Sequence, residues 1–198
     1  MRCAVIIAVL ILGISSMTKT TAFAGDWRFP IGLSYIDGQQ KIVDQIEDNL
    51  VADDQIHKTV SGFTVGVSFY PYYEFENGLG LGFGFGPLGI ILGVDASLSD
   101  IPLLGFVRYS LTPESNVSPY LRAGVSRHIP NGDYVEGYQI GFAGALGIEL
   151  LRDKAVGMGI EVGYDTAAIE LENKLTADPY DRAQIEPVGF TVSIFAVF

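Results

Sequence analysis

Cysteine is almost missing from this 198-residue chain: the single thiol, Cys3, lies ahead of the first apolar segment. Everything after that segment therefore lacks disulfides, thiol chemistry and any cysteine-based metal site. Basic residues are scarce as well, 12 Lys and Arg against 23 Asp and Glu, which argues against nucleic acid as a partner. Beyond the first residues there is no apolar run long enough for a membrane-spanning helix. Yet 48% of the chain is hydrophobic and the mean hydropathy is +0.32. So much apolar surface without spanning helices requires another way of hiding it, and alternating strands that face lipid provide one.

The N-terminus reads as a secretory signal. Arg2 supplies positive charge, Ala4 to Ile14 the apolar segment, and Ala22-Phe23-Ala24 the small-x-small cleavage site, with the cut placed after Ala24. Residues 1–24 then form the signal and residues 25–198 one domain. Removing Arg2 and Lys19 leaves 10 basic and 23 acidic residues, a net charge of −13.

The end of the chain is the most telling stretch. Phe190, Val192, Ile194, Ala196 and Phe198 share one parity and are all apolar; Thr191 and Ser193 lie on the other. A soluble sheet rarely leaves such an edge bare, whereas a closed barrel has no edge. Seven earlier stretches repeat the pattern. The plainest sets Leu79, Leu81, Phe83 and Phe85 against Gly80, Gly82, Gly84 and Gly86. A helix there would contain four glycines at about 1 kcal/mol each, so a strand is predicted, its glycine face leaving room for bulky residues from neighbouring strands. Connections alternate between long and short, which puts both chain ends on the short-turn side. The predicted fold is all-β: a closed, eight-stranded, antiparallel up-and-down transmembrane β-barrel of the bacterial outer membrane.

Inside such a barrel, parity places Arg108, Arg122, Glu149, Glu161 and Asp165 in the lumen, because an arginine at the midplane of the lipid face would cost about 2–4 kcal/mol. Eight strands leave an interior that side chains mostly fill, so a salt-bridge plug is expected there. Arg127 has lipid-facing parity near the outer rim, where it could touch a lipopolysaccharide phosphate or simply snorkel into water. Tyr70, Tyr72 and Tyr73 are expected to join a girdle at the lipid boundary. The longest connection, residues 37–58, carries Asp44, Glu47, Asp48, Asp53, Asp54 and His57; Ile42, Ile46 and Leu50 at helical spacing allow a short helix within it. Asp53-Asp54 with His57 could be arranged as paired rim acids or as a cation site, but a solvated loop fits better and the spacing matches no calcium loop. No cofactor or metal motif is read.

The signal, the eight alternating stretches, Pro119-Tyr120-Leu121-Arg122-Ala123-Gly124-Val125, Gly159-Ile160-Glu161-Val162-Gly163-Tyr164 and the closing Phe190 to Phe198 resemble the small outer-membrane barrels typified by the membrane domain of outer membrane protein A. The resemblance implies an outer-membrane location, contact with outer-membrane lipid and lipopolysaccharide, and a terminal strand (Phe190, Ile194, Phe198) read by the barrel-assembly machinery. It implies no single activity, since that group includes anchors, adhesins, solute channels and lipid A enzymes. Its deacylases carry a His and a Ser two apart on a late strand; Gly163-Tyr164-Asp165-Thr166-Ala167 has neither. The reading is a non-enzymatic structural or interaction protein, with a narrow channel for small solutes as the alternative, a lipid A-modifying enzyme as a weaker one, and a partner outside the cell met through the acidic loops.

Overall fold

The structure, a computed structural model, describes residues 25–52, 60–62, 65–93, 97–173 and 182–198. The signal segment and Asp53, Asp54 and His57 lie outside the described residues. The wall has eight staves, several of them broken into two or three strands. Stave one joins β1 (Gly25–Arg28) and β2 (Pro30–Ile36). A helix, α1 (Gly38–Ala52), follows. Stave two comprises β3 (Val60–Gly62), β4 (Val65–Phe69) and β5 (Tyr72–Phe75), and stave three β6 (Leu79–Phe85) and β7 (Gly89–Gly93). Staves four and five are single long strands, β8 (Ser97–Ser110) and β9 (Val117–Gly132). Stave six joins β10 (Val135–Tyr138) to β11 (Ile140–Leu150), stave seven β12 (Gly157–Asp165) to β13 (Ile169–Glu172), and stave eight β14 (Arg182–Ile185) to β15 (Gly189–Val197).

Each stave pairs with its sequence neighbours, and β15 pairs back onto β2. Phe29 and Phe198 complete the seam, each giving its N–H to the other's carbonyl. The wall is closed. One register row can be followed all the way round: Arg127, Leu103, Phe85, Phe69, Ile31, Ala196, Met158, Leu150, Val117. It leaves β9 at position 127 and returns at position 117, a stagger of ten. Eight strands about 4.8 Å apart with a stagger of ten residues of about 3.3 Å must tilt by about 40°.

Alternation decides what faces out. Phe142 is 73% exposed, Phe83 66% and Ile194 58%, so all three point away from the barrel. Trp27, Tyr73 and Tyr109 ring the inner end of this apolar band and Tyr35 and Tyr164 the outer end, as in membrane barrels. The tyrosine cluster of stave two corrects the expectation of a girdle. Only Tyr73 faces lipid; Tyr70 and Tyr72 are buried in the lumen, on the same parity as Gly66 and Ser68.

Two connections are more ordered than the sequence suggests. Pro130-Asn131-Gly132-Asp133, turn-favouring in composition, stays in strand to Gly132 and turns at Asp133–Tyr134, where Tyr134 takes a positive φ of 63°. The first long connection is largely α1. Ile42, Ile46 and Leu50 bury one face of the helix with Val43, against Leu98, Ile169 and Leu171. This core lies beside a second sheet, β10–β13–β14, that rises beyond the outer rim. Asp44 and Asp48 remain exposed on the other face and Glu47 half-buried. Replacing the fully buried Ile46 by Ala is expected to cost this outer core about 2–5 kcal/mol. Limited proteolysis would read it: α1 is clipped faster, while the barrel keeps its heat-dependent gel mobility. Loss of the barrel alongside the helix would show that the two are one cooperative unit.

Candidate functional site

The lumen is the candidate site. All five residues assigned to it by parity do point inward, but they fall into separate storeys. In the inner storey, Arg108 meets Glu149 at 2.9 Å, and Tyr72 gives its hydroxyl hydrogen to the same carboxylate at 2.9 Å. Glu149 also takes a bond from Arg152, and Arg152 reaches across to Glu74. Ser110 donates to Glu74, and Arg28 stands 3.8 Å from it. The like-charged Arg108 and Arg122 face each other directly across the β8–β9 ladder. That repulsion is relieved because each turns to its own carboxylate.

The middle storey is built on Arg122 and Glu161. The guanidinium gives two bonds to the carboxylate, at 3.2 and 2.5 Å, the forked geometry suited to this pair. Tyr120 links the storeys. Its ring lies 3.5 Å beneath the Arg108 guanidinium, and its hydroxyl donates to Glu161 at 2.9 Å. Tyr70 carries Arg122 at 4.3 Å. Some guanidinium nitrogens of Arg108 and Arg122 are buried without a hydrogen-bond acceptor, and these aromatic faces offset part of that cost.

The outer storey holds Asp165. It accepts from Ser126 at 2.6 Å and from the Ala167 N–H at 2.8 Å. His128, fully buried, sits between Asp100 at 2.5 Å and Asp165 at 3.8 Å. Above them Gln39, at the start of α1, is buried and donates to the Pro187 carbonyl at 3.2 Å.

The glycines make this packing possible. A side chain at Gly147 would collide with the Tyr120 ring, and one at Gly82 with Phe106. The rings occupy the room left by the glycine faces. Between storeys the remaining voids are about 20 Å³ beside Arg122 and Asp165 and about 10 Å³ between Arg108 and Glu161, room for single waters. The inner mouth opens into something larger, a vestibule of about 420 Å³ lined by Asp26, Arg28, Glu74, Glu76, Glu114, Arg152 and Asp153. Lys154 donates to Asp153 at 2.6 Å and holds its carboxyl below the ordinary range.

Sequence reasoning missed Glu74 and Arg152, which tie the inner storey together. It also missed the role of His128, whose parity with Ser126 does point inward. Among the described residues, no group of three or more His, Cys, Asp or Glu side chains is arranged to hold a metal ion. The terminal-strand residues Phe190 and Ile194 face lipid, and Phe198 sits half-buried at the seam.

No family model matches the chain, and no curated protein matches it. Solved structures do. The outer membrane protein OprG from Pseudomonas aeruginosa superposes with a TM-score of 0.53 at 12% identity, over 88% of this chain and 95% of that one. Neisserial surface protein A gives a TM-score of 0.42, also at 12% identity, over 86% and 94%. The shared feature is the fold. With its wall closed at Phe29 and Phe198 and its apolar band turned outward, this chain has the fold of a small eight-stranded outer-membrane β-barrel.

Proposed function

We propose that the protein is a non-conducting structural barrel of the outer membrane, held rigid by its lumen network and presenting an ordered cap to the outside. The observation that carries this reading is the stack of Arg108–Glu149 and Arg122–Glu161 pairs across the bore, with only water-sized voids between them. A charge network of this kind blocks ions and fixes the shape of the wall. The export signal is cut after Ala24, and Phe190, Ile194 and Phe198 form the strand that the assembly machinery reads. The acidic face of α1, with Asp44 and Asp48, is the surface offered to a partner outside the cell. No catalytic role is assigned: His128 is fully buried between carboxylates. A planar-bilayer recording on refolded protein tests the reading. The expected trace is silent, and discrete current steps from the wild-type protein would overturn it.

A second reading, passage of small solutes, has one observation in its favour. Between staves two and three, β4 and β6 share the single pair Phe69↔Phe85. Pro71 and Pro87 beside it have no N–H to give to a ladder. The Leu88 and Phe83 N–H groups still bond the Val67 and Pro71 carbonyls across this interruption, and its opening would let a solute leave sideways. Swelling of proteoliposomes in small solutes, lost when Arg122→Ala rearranges the middle storey, would favour this reading over the first.

A further inference from the structure

Seven of the eight Lys and Arg residues described have an evident place. Arg28, Arg108, Arg122 and Arg152 point inward, each beside a carboxylate. Lys41 lies on α1, Lys154 in an inner turn and Arg182 on the outer sheet, paired with Glu136 at 3.5 Å. Arg127 stands alone in the lipid-facing wall. Along β9 its outward neighbours are Val125 and Ile129; across the ladders they are Leu103 and Ile140, and all four are exposed and apolar. Among the described residues no carboxylate pairs with it.

Its height follows from the stagger. At a tilt of about 40° each residue climbs about 2.5 Å and each strand crossed adds about 3 Å. Tyr164 shares a row with Gly144 and Ala123, and Arg127 is four residues above Ala123. That places the Arg127 backbone about 4 Å above the level of Tyr164 along the barrel axis, at the outer aromatic level where lipid headgroups begin. Two further features meet there. Tyr138 accepts a hydrogen bond from Arg127 and lies 5.0 Å from it ring to guanidinium, which leaves the tyrosine hydroxyl hydrogen and the remaining guanidinium N–H groups free to donate. Below Arg127, toward the membrane centre, Gly105, Ala123 and Gly144 form a patch of small residues. A Cβ built on Gly105 meets nothing within 4 Å, and one on Gly144 only the Arg122 carbonyl at 3.9 Å. Phe83 and Phe142 stand high on either side.

We propose that Arg127 and Tyr138 bind the phosphate of an outer-leaflet lipid, with one of its acyl chains lying in the shallow trough over Gly105, Ala123 and Gly144. A guanidinium set among apolar side chains at the headgroup boundary attracts an anion, and a phosphomonoester takes a forked pair of N–H bonds with the tyrosine hydroxyl as a third donor. The site depends only on the orientation of the wall, so it stands or falls separately from the silent lumen.

Native mass spectrometry on the refolded full chain tests it, with diphosphoryl lipid A, the same lipid stripped of its phosphates, and inorganic phosphate as probes. The phosphorylated lipid is expected to bind, and Arg127→Gln to weaken it about tenfold, the size of one charge-assisted hydrogen bond. Tyr138→Phe should give a smaller loss, and Gly144→Leu should lower retention of the lipid by filling the trough. Equal binding of the two lipids, or no change in Arg127→Gln, overturns the phosphate site. Binding of inorganic phosphate as strong as that of the lipid overturns the trough. Arg127 and Tyr138 are exposed, so heat-dependent gel mobility verifies that the variants still form barrels.

Discussion

Changing Glu149 to Ala should be the most damaging single substitution in the lumen. The carboxylate is buried and serves Arg108, Arg152 and Tyr72 at once. Removing it leaves two guanidinium groups facing each other's charge, with Glu74 alone to neutralise Arg152. Breaking a buried pair by deleting one partner costs about 3–5 kcal/mol, because the remaining charge has been taken out of water without compensation. The measurement is a urea titration of folding into lipid vesicles, comparing wild type with Glu149→Ala and Glu149→Gln. The glutamine variant should fall between wild type and alanine, since its single carbonyl oxygen still accepts from Arg108 and Tyr72 while the charge and the acceptor for Arg152 are lost. If all three proteins unfold at the same urea concentration, water reaches Arg108 and Arg152, and the bore is wetter than its small voids imply.

The second large effect belongs on the outside. Leu146 is 63% exposed, sits between Leu121 and Val162 in the ladders, and lies midway between the two aromatic levels. Leu146→Arg should cost about 2–4 kcal/mol in a bilayer, because the guanidinium must be held in hydrocarbon. In the same vesicle titration Arg127→Leu should change stability by no more than about 1 kcal/mol, since the cost of charge on the wall fades toward the interface. A Leu146→Arg protein as stable as wild type would mean that this face does not meet lipid.

Much of the wall was legible because strand periodicity is two and the two faces meet opposite solvents. Residues such as Phe83 and Gly84 cannot exchange faces without reversing every neighbour in the stave. Parity likewise placed Arg108, Arg122, Glu149, Glu161 and Asp165 inside. It does not say which Arg meets which Glu, since that depends on the stagger of ten, which is a property of the closed ladder and not of any one strand. Glu74 escaped although it shares parity with Tyr70 and Tyr72, because it stands at the end of its stave beside the Glu76-Asn77-Gly78 turn signal. Arg152 escaped for another reason. Leu151 takes a positive φ of 60°, which breaks the alternation and swings Arg152 inward from what reads as a solvated turn. The tyrosines of stave two were grouped by composition where alternation was the better guide. For α1 the spacing of Ile42, Ile46 and Leu50 was visible, but its apolar partners Leu98, Ile169 and Leu171 lie far along the chain.

The seam bears on how the molecule comes into being. Every other ladder of the wall links staves adjacent in sequence, so hairpins can form locally, in order, as the chain is laid down. The seam joins Pro30 to Val197 and Phe29 to Phe198, nearly the two limits of the described chain. Until those ends meet, the chain is a curled ribbon with its arginines and glutamates open along one side. The closing step is therefore the slow, long-range one, and it carries the whole inner charge set out of water at once.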